Sequence, residues 1–227
     1  MTILDRYRRL ADLPEDLPVL PLRGVILLPR ATLPLNIFEP RYLAMFDDII
    51  RGSRLVAVVQ ATGEESDDSS PGAKPTAVRG VGCVGRLTAF QELDDGRMIV
   101  SLSGIARCDL VRELRDEKPY RTFRLRYDRF QRDLVAGDGE DTVDREALLK
   151  SLKAYLEARD LKADWQAIAR SSSETLINSL SVISPYGPEE KQALLEAADL
   201  KSRADVLVAL AEMEIATSAG GTGSTLQ

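Results

Sequence analysis

The 227-residue chain contains no histidine, which removes Ser-His and Cys-His nucleophile pairs and imidazole metal ligation together. What remains that could do chemistry is sparse. Cys83 and Cys108 are two cysteines in a long chain, read as small buried side chains rather than a disulfide. Gly80-Val81-Gly82-Cys83-Val84-Gly85 spells G-x-G-x-x-G. A dinucleotide loop, however, leaves a strand and opens a helix, whereas this one runs into the strand-like Arg86-Leu87-Thr88-Ala89-Phe90. Its glycines are therefore assigned to sheet bends or close backbone packing. Gly72-Ala73-Lys74-Pro75-Thr76 lacks the spacing of a phosphate-binding loop. Glu64, Glu65, Asp67 and Asp68 lack calcium-loop spacing and are read as solvated charge. Lys150-Ser151, Lys153 and Lys201-Ser202 place amines near hydroxyls, but on helices whose solvent faces must be polar anyway. No catalytic residue, metal site or cofactor is assigned.

The elements follow from pattern. Leu17 to Tyr42 packs apolar β-formers between prolines, which are confined to edges, strand starts or bulges, so this segment is expected to form short strands and bends. Pro40 opens a helix with Tyr42, Leu43, Phe46, Ile49 and Ile50 on one face and Gly52 as a left-handed stop. Arg54 to Gln60 leaves it as a buried strand, and the acidic, small-residue run 62–77 is an exposed loop. Val81–Phe90 and Met98–Ser103 flank an Asp95-Gly96 turn whose two central residues can both take positive φ. Ile105–Leu114 follows as a separate strand. From Thr122 the period is two, with Phe123, Leu125 and Tyr127 inward and arginines outward.

After an acidic loop from Val135 to Asp144 the chain turns helical. A Leu148/Leu149/Leu152/Tyr155/Leu156 stripe marks one helix, and a longer one runs from Trp165 to Ile183. Pro188 starts a third, and Asp199 or Ser202 caps a fourth through Val206, Leu207, Leu210 and Met213. The expected division is a β-rich unit over 1–130, a linker over 131–145, a helical bundle over 146–216 and a disordered tail over 217–227. The composition, 44% apolar and 29% charged, supports an ordinary core. The charged amino terminus and the lack of a long apolar run point to a cytoplasmic protein with no membrane association.

Three stretches resemble the amino-terminal, substrate-binding domain of Lon proteases: Leu17–Tyr42, Gly80–Asp109 and Ser181–Glu212. They include Pro21-Leu22-Arg23-Gly24, the hairpin Asp95-Gly96-Arg97-Met98-Ile99-Val100, and Ser184-Pro185 leading into Pro188-Glu189-Glu190. The resemblance spans roughly residues 15–215 and implies an α+β fold. That fold is a PUA-like pseudo-β-barrel with one amphipathic helix, followed by a C-terminal helical bundle. It also implies a free-standing domain without the ATPase and peptidase modules, and it transfers no active site.

The function expected is a non-enzymatic module that binds polypeptide segments as an adaptor or holdase, with polypeptide substrates, a protease or a second copy as partner. Phe38, Glu39, Pro40, Arg41 and Tyr42 are the candidate groove wall; the plainer alternative places Phe38 and Tyr42 in the core with Arg41 bracing Glu39. The second reading is RNA binding, because PUA-like barrels elsewhere contact RNA and Arg121, Arg124, Arg126, Arg129 and Arg132 are interleaved with Phe123, Tyr127 and Phe130. The net charge of −6 weighs against it.

Overall fold

The computed structural model describes residues 6–62 and 76–220, the last three of these by backbone alone. The acidic cluster Glu64–Asp68 and most of the expected loop 62–77 lie outside the described residues, as does the tail from 221 onward. The described chain forms six strands: β1 (Asp16–Leu22), β2 (Thr32–Ile37), β3 (Leu55–Thr62), β4 (Ala77–Glu92), β5 (Met98–Leu114) and β6 (Thr122–Arg126). The helices are α1 (Pro40–Arg51), α2 (Arg145–Ala158), α3 (Trp165–Arg170), α4 (Ser173–Ile183), α5 (Pro188–Glu196) and α6 (Leu200–Gly220).

The strands pair in the order β2-β5-β4-β3-β1-β6, and β6 pairs again with β5. The pairings therefore return to β5, with β2 attached to its first half. Both prolines of β1 are accommodated because its neighbours are staggered. β6 pairs with Asp16–Pro18 and β3 with Val19–Leu22, so each half of the strand carries one ladder. β2 has β5 as its one strand partner among the described residues, and there Pro34 lies opposite Ser101.

Strand β3 shows how the sheet is covered on both faces. Leu55, Ala57 and Val59 enter one apolar cluster with Val19, Val84, Ala106, Phe123 and Leu125, to which all five strands of the ring contribute. Val56 and Val58 enter the other, which also holds Phe46 of α1 and Ile177, Leu194 and Leu207 of the helical half. A strand buried on both faces reads as a continuous apolar run, as Leu55–Val59 does.

Several sequence expectations are corrected. Ile105–Leu114 is not a separate strand, because β5 runs unbroken through Gly104. Gly52 is not the left-handed stop (φ −113°). Arg54 takes that conformation instead (φ 61°) and its amide donates to the Ile49 carbonyl at 2.9 Å. In the Asp95-Gly96 turn Gly96 alone is left-handed (φ 83°), giving a tight turn closed by Gly96 N–H to Leu93 O. The expected helix from Trp165 to Ile183 is two helices, since Ser172 leaves helical geometry and accepts the Thr175 amide to start α4. Among the described residues the helical half thus has five helices rather than four. Asp199, not Ser202, caps α6 by accepting the Ser202 amide, and α6 continues to Gly220 where a disordered tail from 217 was expected.

The glycines of the G-x-G-x-x-G run lie inside β4 and serve close packing. A Cβ on Gly82 would meet the Val58 carbonyl oxygen at 2.6 Å, and one on Gly85 would meet Leu27 at 2.6 Å. The tightest approach is at Gly104, where the segment after β1 crosses β5. Gly104 N–H donates to Ala31 O, Arg30 N–H donates to Gly104 O, and an added Cβ would lie 1.9 Å from Leu28 O. Gly104→Ala should therefore cost at least ~2 kcal/mol of unfolding free energy in urea titrations, the range expected of forced overpacking. Gly80→Ala, with nothing within 4 Å, should leave the midpoint unchanged.

Candidate functional site

The corner between β2 and α1 holds all five residues singled out from sequence. Pro40 occupies the first helical turn and Glu39 is the extended residue before it, its carbonyl accepting the amides of Tyr42 and Leu43. Arg41 donates to the Glu39 carboxylate (Nε–Oε2 2.9 Å) and lies over the Tyr42 ring, 4.6 Å from its centroid. Tyr42 is core. The plainer reading thus describes Arg41 and Tyr42, but Phe38 is 65% exposed and not core. Along β2 the exposure alternates: Asn36 exposed, Ile37 buried, Phe38 exposed. Asn36 is the register partner of Ile99, itself an exposed apolar residue. The corner presents apolar surface on a rigid frame and places no two ionisable groups for proton transfer.

Each arginine of the row has a carboxylate within 4 Å. Arg121 is held by Glu113 through two 2.8 Å hydrogen bonds, and Arg124 is held by Asp16 at 2.6 and 2.7 Å. Arg129 pairs with Asp109 and Arg132 with Asp138, each at 2.8 Å, and Arg126 lies 3.9 Å from Asp128. Of the lysines beside hydroxyls, Lys201 is bonded to Asp205 and Lys153 lies 3.9 Å from Glu157. Cys83 and Cys108 are free and buried, and burial pushes both thiols up, so neither is a thiolate at neutral pH. Among the described residues no group of His, Cys, Asp or Glu could hold a metal ion.

The two halves are joined by buried polar groups that sequence reasoning missed. Asp133, in the short turn after β6, accepts Arg107 Nε, Arg107 NH2 and the Arg107 amide, all at 2.9 Å. Arg107 NH1 then donates to the carbonyls of Leu195 and Ala197 at the end of α5. Gln60 of β3 donates to Pro188 O and to Gln192, while accepting the Gly24 amide. Glu174 of α4 pairs with Arg30 and accepts the Gly137 amide, and Asn178 donates to Pro29 O. Residues 131–145, expected as a linker, carry part of this joint.

The helices also line a partly open apolar pocket of about 170 Å³. Leu148, Leu152 and Tyr155 of α2 line it with Leu207 and Ala211 of α6 and with Leu180 and Ile183 from the end of α4. Lys191 fixes that end: its buried ammonium donates to Ser181 O (2.9 Å) and Val182 O (2.5 Å) at the close of α4. Burial lowers its pKa from 10.5 to about 8. Burial also pushes the Tyr186 phenol, in the pocket wall, up to about 12.

A mixed sheet whose pairings return on themselves, packed on helices through a shared core, defines a mixed α+β fold. The chain belongs to the ATP-dependent protease La (LON) substrate-binding domain family, whose model matches residues 16–212. It is 29% identical over 202 residues to a Lon protease of Flavobacterium johnsoniae, covering 85% of this chain and 23% of that protein. It is 29% identical over 209 residues to Lon protease 2 of Myxococcus xanthus, covering 88% and 24%. The chain thus spans about a quarter of the length of the curated relatives it matches. In fold it is similar to a Lon N-terminal domain protein from Xanthomonas campestris (TM-score 0.58, 22% identity, 86% of this chain and 97% of that one). The N-terminal domain of the Mycobacterium avium complex Lon protease gives a TM-score of 0.60 at 18% identity, over 87% and 98%.

Removing one member of a buried pair strands the other charge, so Asp133→Ala should lower the unfolding free energy by ~3–5 kcal/mol. Urea unfolding measures it, and a loss under 1 kcal/mol shows that the joint contributes little. Lys191 gives a pH signature. Below about pH 8 it is protonated folded and unfolded, and above 10.5 it is neutral in both. Between these the unfolded chain binds the extra proton, so stability rises with pH. The wild-type minus Lys191→Met stability difference should climb by up to ~1.4 kcal/mol per unit across that window. A flat difference shows that Lys191 titrates normally.

Proposed function

We propose that the chain is a non-enzymatic recognition module that binds exposed polypeptide segments, as an adaptor or holdase, in the cytoplasm. Its partners are unfolded chains or a protease that receives them, and the ring of strands is the PUA-like pseudo-barrel that carries the binding corner. Family membership supports the substrate-recognition role. The observation that carries the site is Phe38, exposed on a corner held by Glu39, Arg41 and Tyr42, with a second exposed apolar residue, Ile99, opposite Asn36 two residues before it. Exposed aromatic surface on a frame that cannot collapse is suited to burying a client's apolar side chains, each fully buried one contributing ~1.5–3 kcal/mol. The non-enzymatic reading is supported by cysteines that are buried and by Lys153 and Lys201, which face carboxylates. The cytoplasmic reading is supported by free buried thiols, and no helix among the described residues is long and apolar enough to cross a membrane. RNA binding is not retained, because each arginine that suggested it faces a carboxylate.

The test is binding of a permanently unfolded protein, such as reduced and carboxymethylated lactalbumin, measured by fluorescence anisotropy. The Phe38→Ser/Ile99→Ser variant should keep its Tm and bind at least about tenfold more weakly, as loss of two apolar contacts implies. Undiminished binding places recognition elsewhere on the molecule. Salt-sensitive retention of RNA restores the second reading.

A further inference from the structure

The pocket between α2, α4 and α6 has an exposed knob at its own rim. Ile183, the last residue of α4, lines the pocket yet is 69% exposed, the most exposed of the large apolar side chains among the described residues. Leu161 also lines it and is 54% exposed. The backbone that carries Ile183 is fixed. Lys191 Nζ donates to the carbonyls of Ser181 and Val182, and the Ser184 amide donates to Leu180 O at 2.9 Å. A β-branched side chain on such a backbone loses little freedom when it is covered.

Size and charge select what covers it. The pocket volume of about 170 Å³ exceeds the ~150 Å³ of apolar cavities that hold a benzene ring, so one isoleucine side chain, smaller than that ring, fits. Every lining side chain is uncharged. The charges at the border cancel: Arg159, 5.8 Å from the Tyr155 ring centroid, pairs with Glu214, and Leu161 stands between Asp160 and Lys162. A border of one sign would repel its own copy, and this one does not. A knob and a hole on one patch are self-complementary under a two-fold axis, the commonest symmetry of homo-oligomers. Each copy then fills the other's hole and both knobs leave water together. A single client side chain would fill the hole and leave Ile183 exposed.

We propose that the chain forms a reversible two-fold dimer through this pocket, which seats the partner's Ile183 among Leu152, Leu180 and Leu207. Two such contacts bury far less than the ~1,600 Å² of a standard interface, so the dimer dissociates on the order of 100 µM. The contact is separate from the Phe38 corner and independent of the polypeptide reading.

Sedimentation equilibrium of the full chain, from ~20 µM to ~1 mM, should show monomer passing to dimer with no larger species. Ile183→Ser, at an exposed position, should keep the parent's Tm and weaken association at least about tenfold, as loss of one large apolar side chain from each copy implies. Two mixtures then assign knob to hole. Isotope-labelled Ile183→Ser keeps the hole, and unlabelled Ala211→Phe keeps the knob but fills the hole. Mixing them should shift the amides of residues 148–156. With the label on Ala211→Phe instead, those amides should stay in place. Val208→Phe fills the same pocket should Ala211→Phe fail to fold. No association up to the highest concentration, association that survives Ile183→Ser, shifts in both mixtures or in neither, or pocket shifts produced by carboxymethylated lactalbumin and not by a second copy (a client site) each overturns the proposal.

Discussion

The ion pair between Arg107 and Asp133 is what the rest of the molecule depends on. Arg107 lies on β5, the strand that pairs with β2, β4 and β6. Its guanidinium spends two donors on Asp133 and the remaining nitrogen on the carbonyls that end α5. Those carbonyls are the unsatisfied C-terminal groups of a helix, and a buried helix end without partners is costly. One side chain thus anchors the turn after β6, closes α5 and holds the sheet against the helices. Taking two charges out of water is expensive, and their many hydrogen bonds offset that cost. The pair's contribution is best understood as a fixed geometry between the halves.

That geometry is reinforced by side chains that reach between elements far apart in sequence. Gln60 connects β3 to α5, Asn178 connects α4 to the segment crossing β5, and Arg203 connects α6 to Leu194 O and Asn178. Each is a directional polar contact inside an otherwise apolar interface, so sliding the helices over the sheet would leave several buried groups unpaired at once. The Phe38 corner and the helical pocket are consequently held on one frame, with the apolar cluster around Leu20, Phe46 and Ile177 filling the space between.

Sequence periodicity was informative where one face of an element is buried. The alternation through Phe123, Leu125 and Tyr127 and the Pro40 and Pro188 helix starts all read directly, because side-chain period and proline chemistry are local. The stripe of α1 was legible except for Met45, which is also buried. What could not be read depends on contacts distant in the chain. Gly104 looks like a strand break, and only the crossing of Leu28 explains an unbroken β5 there. Ser171 and Ser172 fit a polar helix face as well as they fit a break. Arg107, Asp133 and Lys191 look like surface charges until the fold buries them. At the candidate corner the bracing of Glu39 by Arg41 was anticipated, but the exposure of Phe38 was not settled by pattern alone. The pocket is invisible to periodicity, which marks inward faces but not whether the helices leave room between them.

Pro34 lies in the strand at the margin of the sheet, between Leu33 and Leu35 and opposite Ser101. Lacking an amide hydrogen, it interrupts the row of donors that a foreign strand would need in order to stack onto that margin. The margin is thereby protected against growth, strand upon strand, into a fibril.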